Sequence, residues 1–254
     1  MQLNFKKVGE GEPLVILHGL FGSLDNWMTL AKKLGEHFEV FIIDARNHGQ
    51  SPHSDEFNYD VMADDLYEFL LQNDIVDPII LGHSMGGKTA MQFAMNYPNK
   101  LIKLIVADIA PKPYPVHHTI IIEGMLSLDF DVIKTRKKAD EQLSKYIDDF
   151  STRQFLLKNL YWIEKEKLGW RFNLQTINDK IEIIGQGLEN VSPFEKPTLF
   201  VRGEKSNYIT PKDYDPIKKI FSNSEIISLE SGHWIHAEKP AEFLKLLNSF
   251  LIRE

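Results

Sequence analysis

The pentapeptide Gly82-His83-Ser84-Met85-Gly86 constrains this chain more than any other feature. The apolar run Pro78-Ile79-Ile80-Leu81 precedes it directly, and the amphipathic stretch Met85 to Tyr97 follows it and stops before Pro98. A buried-strand run, a glycine-flanked serine and a helix with no spare loop residues between them require a tight strand-to-helix turn. The small flanking residues relieve crowding at such a turn. The serine Oγ is then forced outward at the carboxyl edge of a sheet, where open α/β sheets place their ligands.

Other apolar runs fit the same sheet. They are Leu14 to Leu17, Phe38 to Ile43, Leu101 to Ala107, Thr198 to Val201 and Glu225 to Leu229. All are short and rich in Val, Ile and Leu, as strands buried on both faces of a parallel sheet are. Helical patterns over Asp25 to Leu34, Tyr59 to Leu71, Lys212 to Phe221 and Ala241 to Leu251 alternate with them. The expected fold class is α/β, a mostly parallel central sheet flanked by helices. Between Pro111 and Pro197 the alternation breaks: three or four helices are expected there, with Thr119 to Ile122 the single strand-like run. Residues 111–196 therefore read as a helical cap inserted in a core of residues 1–110 and 197–254.

Composition narrows the chemistry. A formal net charge of -7 disfavours nucleic-acid and membrane-surface partners, since an acidic surface repels phosphates and anionic lipid. The absence of cysteine excludes disulfides, thiolate catalysis and cysteine metal sites, and fits a reducing compartment. No apolar run approaches the roughly 20 residues of a membrane span, and the segment Met1 to Lys6 is not a signal peptide. A cytoplasmic protein, monomeric or homodimeric, is expected.

A serine attacking an acyl carbon needs a general base and two preorganised N–H donors for the oxyanion. Met85, opening the helix after the serine, supplies one N–H; Leu20, in the strand-end loop His18-Gly19-Leu20-Phe21-Gly22, supplies the other. Of the nine histidines only His233 and His236 follow the last strand run, as the order serine, acid, histidine requires; Gly232 favours His233. His83 lies within the turn itself, and His117 and His118 open the cap segment. The acid has two places. After Thr198 to Val201 the loop offers Glu204 and then Ser206 where a carboxylate is expected, with Asp213 and Asp215 suited to a helix start. At the end of the preceding strand run stands Asp108, a lone carboxylate beside apolar residues that is costly unless paired. Asp108 is preferred as the acid, and Ser206 remains the alternative third member, or a hydrogen-bonding partner of His233 or Asp108. The turn Asp44 to Ser51 reads as an Asp–Arg-braced turn more than as an active-site wall.

Together these motifs resemble the α/β-hydrolase superfamily along nearly the whole chain, most closely the bacterial acyl esterases of the YbfF type and their mitochondrial relatives. The stretches that carry the resemblance are His18 to Ser23, Asp44 to Gly49, Gly82 to Lys88, Asp108 to Pro111, Arg171 to Leu174 and Gly232 to Pro240. That family also has serine where Ser206 stands. The resemblance implies a serine carboxylesterase or thioesterase acting on short to medium acyl esters or thioesters, acyl-CoA among them, with no cofactor and no metal. Rival expectations on the same scaffold are a slow-turnover ligand receptor and a cofactor-free perhydrolase or C–C hydrolase. Met125, Leu126, Phe130, Tyr161 and Trp162 are expected either to line an apolar acyl pocket or, equally, to form the core of the cap, with Lys88, Lys112 and the run Lys134 to Lys138 facing an anionic leaving group.

Overall fold

The computed structural model describes residues 1–116, 118–188 and 192–252. The chain runs β1 (Phe5–Val8), β2 (Glu12–Leu17), α1 (Met28–Leu34), β3 (Phe38–Ile43), α2 (Tyr59–Gln72), β4 (Ile79–His83), α3 (Met85–Asn96) and β5 (Lys103–Ala107). It then passes through α4 (Thr119–Leu126), α5 (Arg136–Leu143), α6 (Phe150–Leu157), β6 (Leu160–Glu164), β7 (Lys167–Trp170) and α7 (Leu174–Gly185). It returns through β8 (Thr198–Gly203), α8 (Tyr214–Ile220), β9 (Ser224–Leu229), α9 (Ile235–Glu238) and α10 (Pro240–Leu251).

Among the described residues seven strands form one sheet in the order β1-β3-β2-β4-β5-β8-β9, and of these only the edge strand β1 is antiparallel. Successive side chains of a strand face opposite ways, so the continuous apolar runs fill two cores. Val15, Leu17, Ile80, Val106 and Phe200 join α2 and α3 through Leu66, Phe69 and Phe93. Leu14, Ile16, Leu81, Ile105 and Leu199 join α1 and α10 through Leu34, Phe243 and Leu247. Helix α3 is buried from Met85 to Met95, which fixes the turn before it rigidly at the centre of the sheet.

The segment between β5 and β8 differs from expectation in two respects. Thr119 to Ile122 is the first turn of α4, not a strand. A two-stranded antiparallel hairpin, β6 and β7, lies where only helix was expected. No helix among the described residues is long and apolar enough to cross a membrane.

Candidate active site

The site is assembled at the carboxyl ends of five strands. Ser84 follows β4 with φ 53° and ψ -118°, a left-handed conformation that a non-glycine residue adopts only when its surroundings hold it. Its N–H bonds the Ala107 carbonyl at 3.1 Å, and its carbonyl caps the helix through Lys88 N–H at 3.0 Å. A Cβ on Gly82 would strike the Gly86 backbone, and one on Gly86 would strike the Leu17 and His18 carbonyls, so both glycines are required by close approach.

Asp108 follows β5, also left-handed at φ 48°, with its side chain wholly buried. A buried carboxylate persists where its oxygens are satisfied. Oδ1 accepts from Gly203 N–H at 2.9 Å. Oδ2 accepts from the Ser206 hydroxyl and faces His233 Nδ1 at 2.8 Å. The structure thus brings Asp108 to His233, and Ser206 to Asp108. Glu204 is exposed beyond this cluster, and Asp213 is committed to Thr210 N–H and Lys112.

Three groups outside the expected set fix His233. Glu238 accepts from Gly232 N–H at 2.6 Å and Trp234 N–H at 3.2 Å, clamping the loop on both sides. His83 donates from Nε2 to the His233 carbonyl at 2.9 Å. The Tyr208 ring stacks on the imidazole at 3.9 Å between centroids. His236 is placed differently: its ring stacks on Trp27 at 4.1 Å, and burial lowers its pKa to about 3. It is a neutral packing group, away from the carboxylate that holds His233.

The loop after β2 is held by two further histidines, both kept neutral by burial. His18 donates from Nδ1 to Gly19 O at 2.8 Å and accepts from Ala45 N–H at 3.0 Å. His48 donates from Nδ1 to Arg46 O at 2.9 Å and accepts from Phe21 N–H at 3.2 Å. Phe21 N–H and Gly22 N–H are therefore engaged; among the described residues no partner is found for Leu20 N–H. The turn Asp44 to Ser51 is braced, but Arg46 pairs with Asp65 at 2.6 Å while Asp44 grips Leu24 and Gln50 N–H and Asn4.

Two cavities meet at Ser84. A narrow one of about 40 Å³ is lined by Leu20, Ser84, Met85, Tyr59, Ile109 and Ile184 among others. A wide one of about 730 Å³ also holds His233, with Trp27, Phe150, Phe155 and Trp234 in its walls. Met125, Leu126, Phe130, Tyr161 and Trp162 line neither; Leu126 and Trp162 point to solvent and Phe130 packs on Trp170. Of these lysines Lys88 alone lines a cavity, and it is the narrow one. Lys88 is buried between Tyr59 and Tyr114, donates to Gln186 O, and has its pKa lowered to about 8 by desolvation. Lys112 is paired with Asp213 at 2.7 Å, and Lys134 to Lys138 lie outside both linings. His118 lines both cavities; His117 lies outside the described residues.

Residues 12–158 match the family model of the alpha/beta hydrolase fold. The chain is 41% identical over 256 residues to the sn-1-specific diacylglycerol lipase ABHD11 of Danio rerio, covering 97% of this chain and 80% of that protein. It is 34% identical over 241 residues to the esterase YbfF of Escherichia coli, covering 94% of this chain and 92% of that one. A solved marine microorganism esterase superposes with a TM-score of 0.96 at 45% identity, covering 98% of this chain and 99% of that one. The chain belongs to the α/β-hydrolase family, as a serine ester hydrolase of the YbfF type.

Proposed function

We propose that Ser84 is the nucleophile, His233 its general base and Asp108 the carboxylate that orients His233. The observation that carries this reading is the 2.8 Å contact of Asp108 Oδ2 with His233 Nδ1, made beside a cavity shared by His233 and Ser84. Asp108 fixes the tautomer, leaving Nε2 to take the Ser84 proton as Oγ attacks the ester carbonyl. Leu20 and Met85 N–H groups receive the oxyanion, Met85 adding the positive end of α3. The alcohol leaves with the proton from His233, and water then attacks the acyl-enzyme by the same path.

The two cavities divide the substrate. The narrow one carries both oxyanion donors and takes the acyl group. At about 40 Å³, against about 730 Å³ for its neighbour, it favours a short acyl chain. The wide cavity takes the leaving group, an alcohol or a thiol. Residues 111–196 serve as a cap set into a core of 1–110 and 197–254, since β5 and β8 pair directly across the excursion. The cytoplasm, a reducing compartment, is the place we assign to this cysteine-free chain.

The test is hydrolysis of p-nitrophenyl esters of graded acyl length and of a matched thioester, by the parent and by Ser84→Ala. The parent is expected to favour the shortest acyl groups, with Ser84→Ala slower by at least about 10⁴-fold. Turnover that survives Ser84→Ala overturns the assignment; an optimum at long chains would place the acyl group in the wide cavity instead.

A further inference from the structure

We propose that Asn159 is a positioning residue for ester hydrolysis, holding the oxyanion loop from the segment between β5 and β8. This rests on the reading of Leu20 N–H as an oxyanion donor. Asn159 is buried, between α6 and β6, and its Nδ2 donates to the Phe21 carbonyl at 2.8 Å.

The bond matters because of what the Phe21–Gly22 peptide does at its other end. A peptide unit is planar, so fixing its carbonyl also fixes its N–H. Gly22 N–H donates to Gly19 O at 2.9 Å. Gly19 O belongs to the peptide whose N–H is that of Leu20. Two rigid planes in series therefore connect Asn159 to the oxyanion donor. The intervening plane, Leu20–Phe21, is held at its N–H by His48, and Gly19 O receives a second bond from His18 at 2.8 Å. Phe21 sits at φ 58°, a left-handed conformation that an aromatic residue leaves unless held. Asn159 is the side chain that holds it on the carbonyl side.

The same contact makes the donor sensitive to the segment that walls the leaving-group cavity. Gln154, Phe155 and Leu156, on α6, line that cavity, and Asn159 N–H bonds Leu156 O at 2.9 Å. Phe172, beyond the β6–β7 hairpin, packs on the Phe21 ring at 5.5 Å. One short stretch of chain thus both walls that cavity and holds the oxyanion loop.

The experiment compares Asn159→Ala and the near-isosteric Asn159→Leu with the parent on p-nitrophenyl butyrate. Rates are expressed per Ser84 titrated with a fluorophosphonate, so that misfolded protein is not counted. The expected result is a kcat lowered about 10- to 100-fold with KM within about twofold, because an oxyanion donor acts on the transition state and not on the bound ester. Affinity for a trifluoromethyl ketone, whose hemiketal oxyanion occupies the same donors, is expected to fall by a similar factor. Thr135→Ala serves as the stability control: it removes the N-cap bond to Lys138 N–H at the start of α5, and should lower Tm while leaving kcat unchanged. Unchanged kcat in both Asn159 variants, or a loss that Thr135→Ala reproduces at equal Tm, overturns the proposal. Parent activity that survives Ser84→Ala removes the underlying assignment, and this inference with it.

Discussion

Asp108 and His233 meet across the sheet at 2.8 Å, although Asp108 directly follows β5 and His233 lies 125 positions further on, beyond β9. Ser206, in the loop after β8, is hydrogen-bonded to that carboxylate. The acid and its hydroxyl partner thus come from the ends of adjacent strands, and their contributions are separable. Asp108→Asn should lower kcat by about 10³- to 10⁴-fold, because the amide no longer holds the required tautomer. Ser206→Ala should cost about tenfold or less, since Asp108 keeps its bond from Gly203 N–H. Steady-state kinetics at matched titrated Ser84 make the comparison. Equal losses would give Ser206 as large a part as Asp108 in orienting His233.

His236 gives a pH-dependent prediction. Its folded pKa, about 3, lies below the ordinary 6.5 because burial disfavours the charged ring. Between those values the unfolded chain binds a proton that the folded chain refuses. Stability therefore falls as pH drops through that window, and rises again as pH is restored. His236→Phe keeps the stack on Trp27 and abolishes the titration. It should flatten the dependence of unfolding free energy on pH by up to about 1.4 kcal/mol per unit near pH 5. Urea unfolding of the parent and variant across this range tests it; parallel curves would mean that His236 takes up its proton as readily in the folded chain as in the unfolded one.

The narrow cavity predicts acyl selectivity. Ile184 lines it, and Tyr59 donates to the Ile184 carbonyl at 2.8 Å, so the backbone there is held while the side chain sets the depth. Ile184→Ala should shift the optimum in kcat/KM toward longer acyl chains, raising the ratio of longer to shorter esters by about tenfold, as one or two methylenes of apolar fit allow. An unchanged profile would exclude this wall from acyl recognition.

The sheet was legible because its central strands are continuous apolar runs, and the turn at Ser84 because Gly82 and Gly86 flank the serine directly between such a run and a helical stretch. Asp108 stood out as a lone carboxylate at the end of an apolar run. Other parts were hidden for physical reasons. β1 is an exposed edge strand with no buried periodicity. The β6–β7 hairpin turns on charged residues that also suit a helix surface. Thr119 to Ile122 has strand-like β-branched residues, but is helical in its packed setting. The walls of the narrow cavity come from α2, α3, α7 and the loop after β2, a convergence that only the fold produces. Asn159 gave no local signal because its partner lies 138 residues away.

The most direct test of the central assignment is mass spectrometry of the protein after reaction with a fluorophosphonate. The expected result is a single adduct per chain, mapped to the peptide carrying Ser84, absent from Ser84→Ala and formed far more slowly in His233→Ala. An adduct on another residue, or full esterase turnover in a protein that takes up no label at Ser84, would contradict the account.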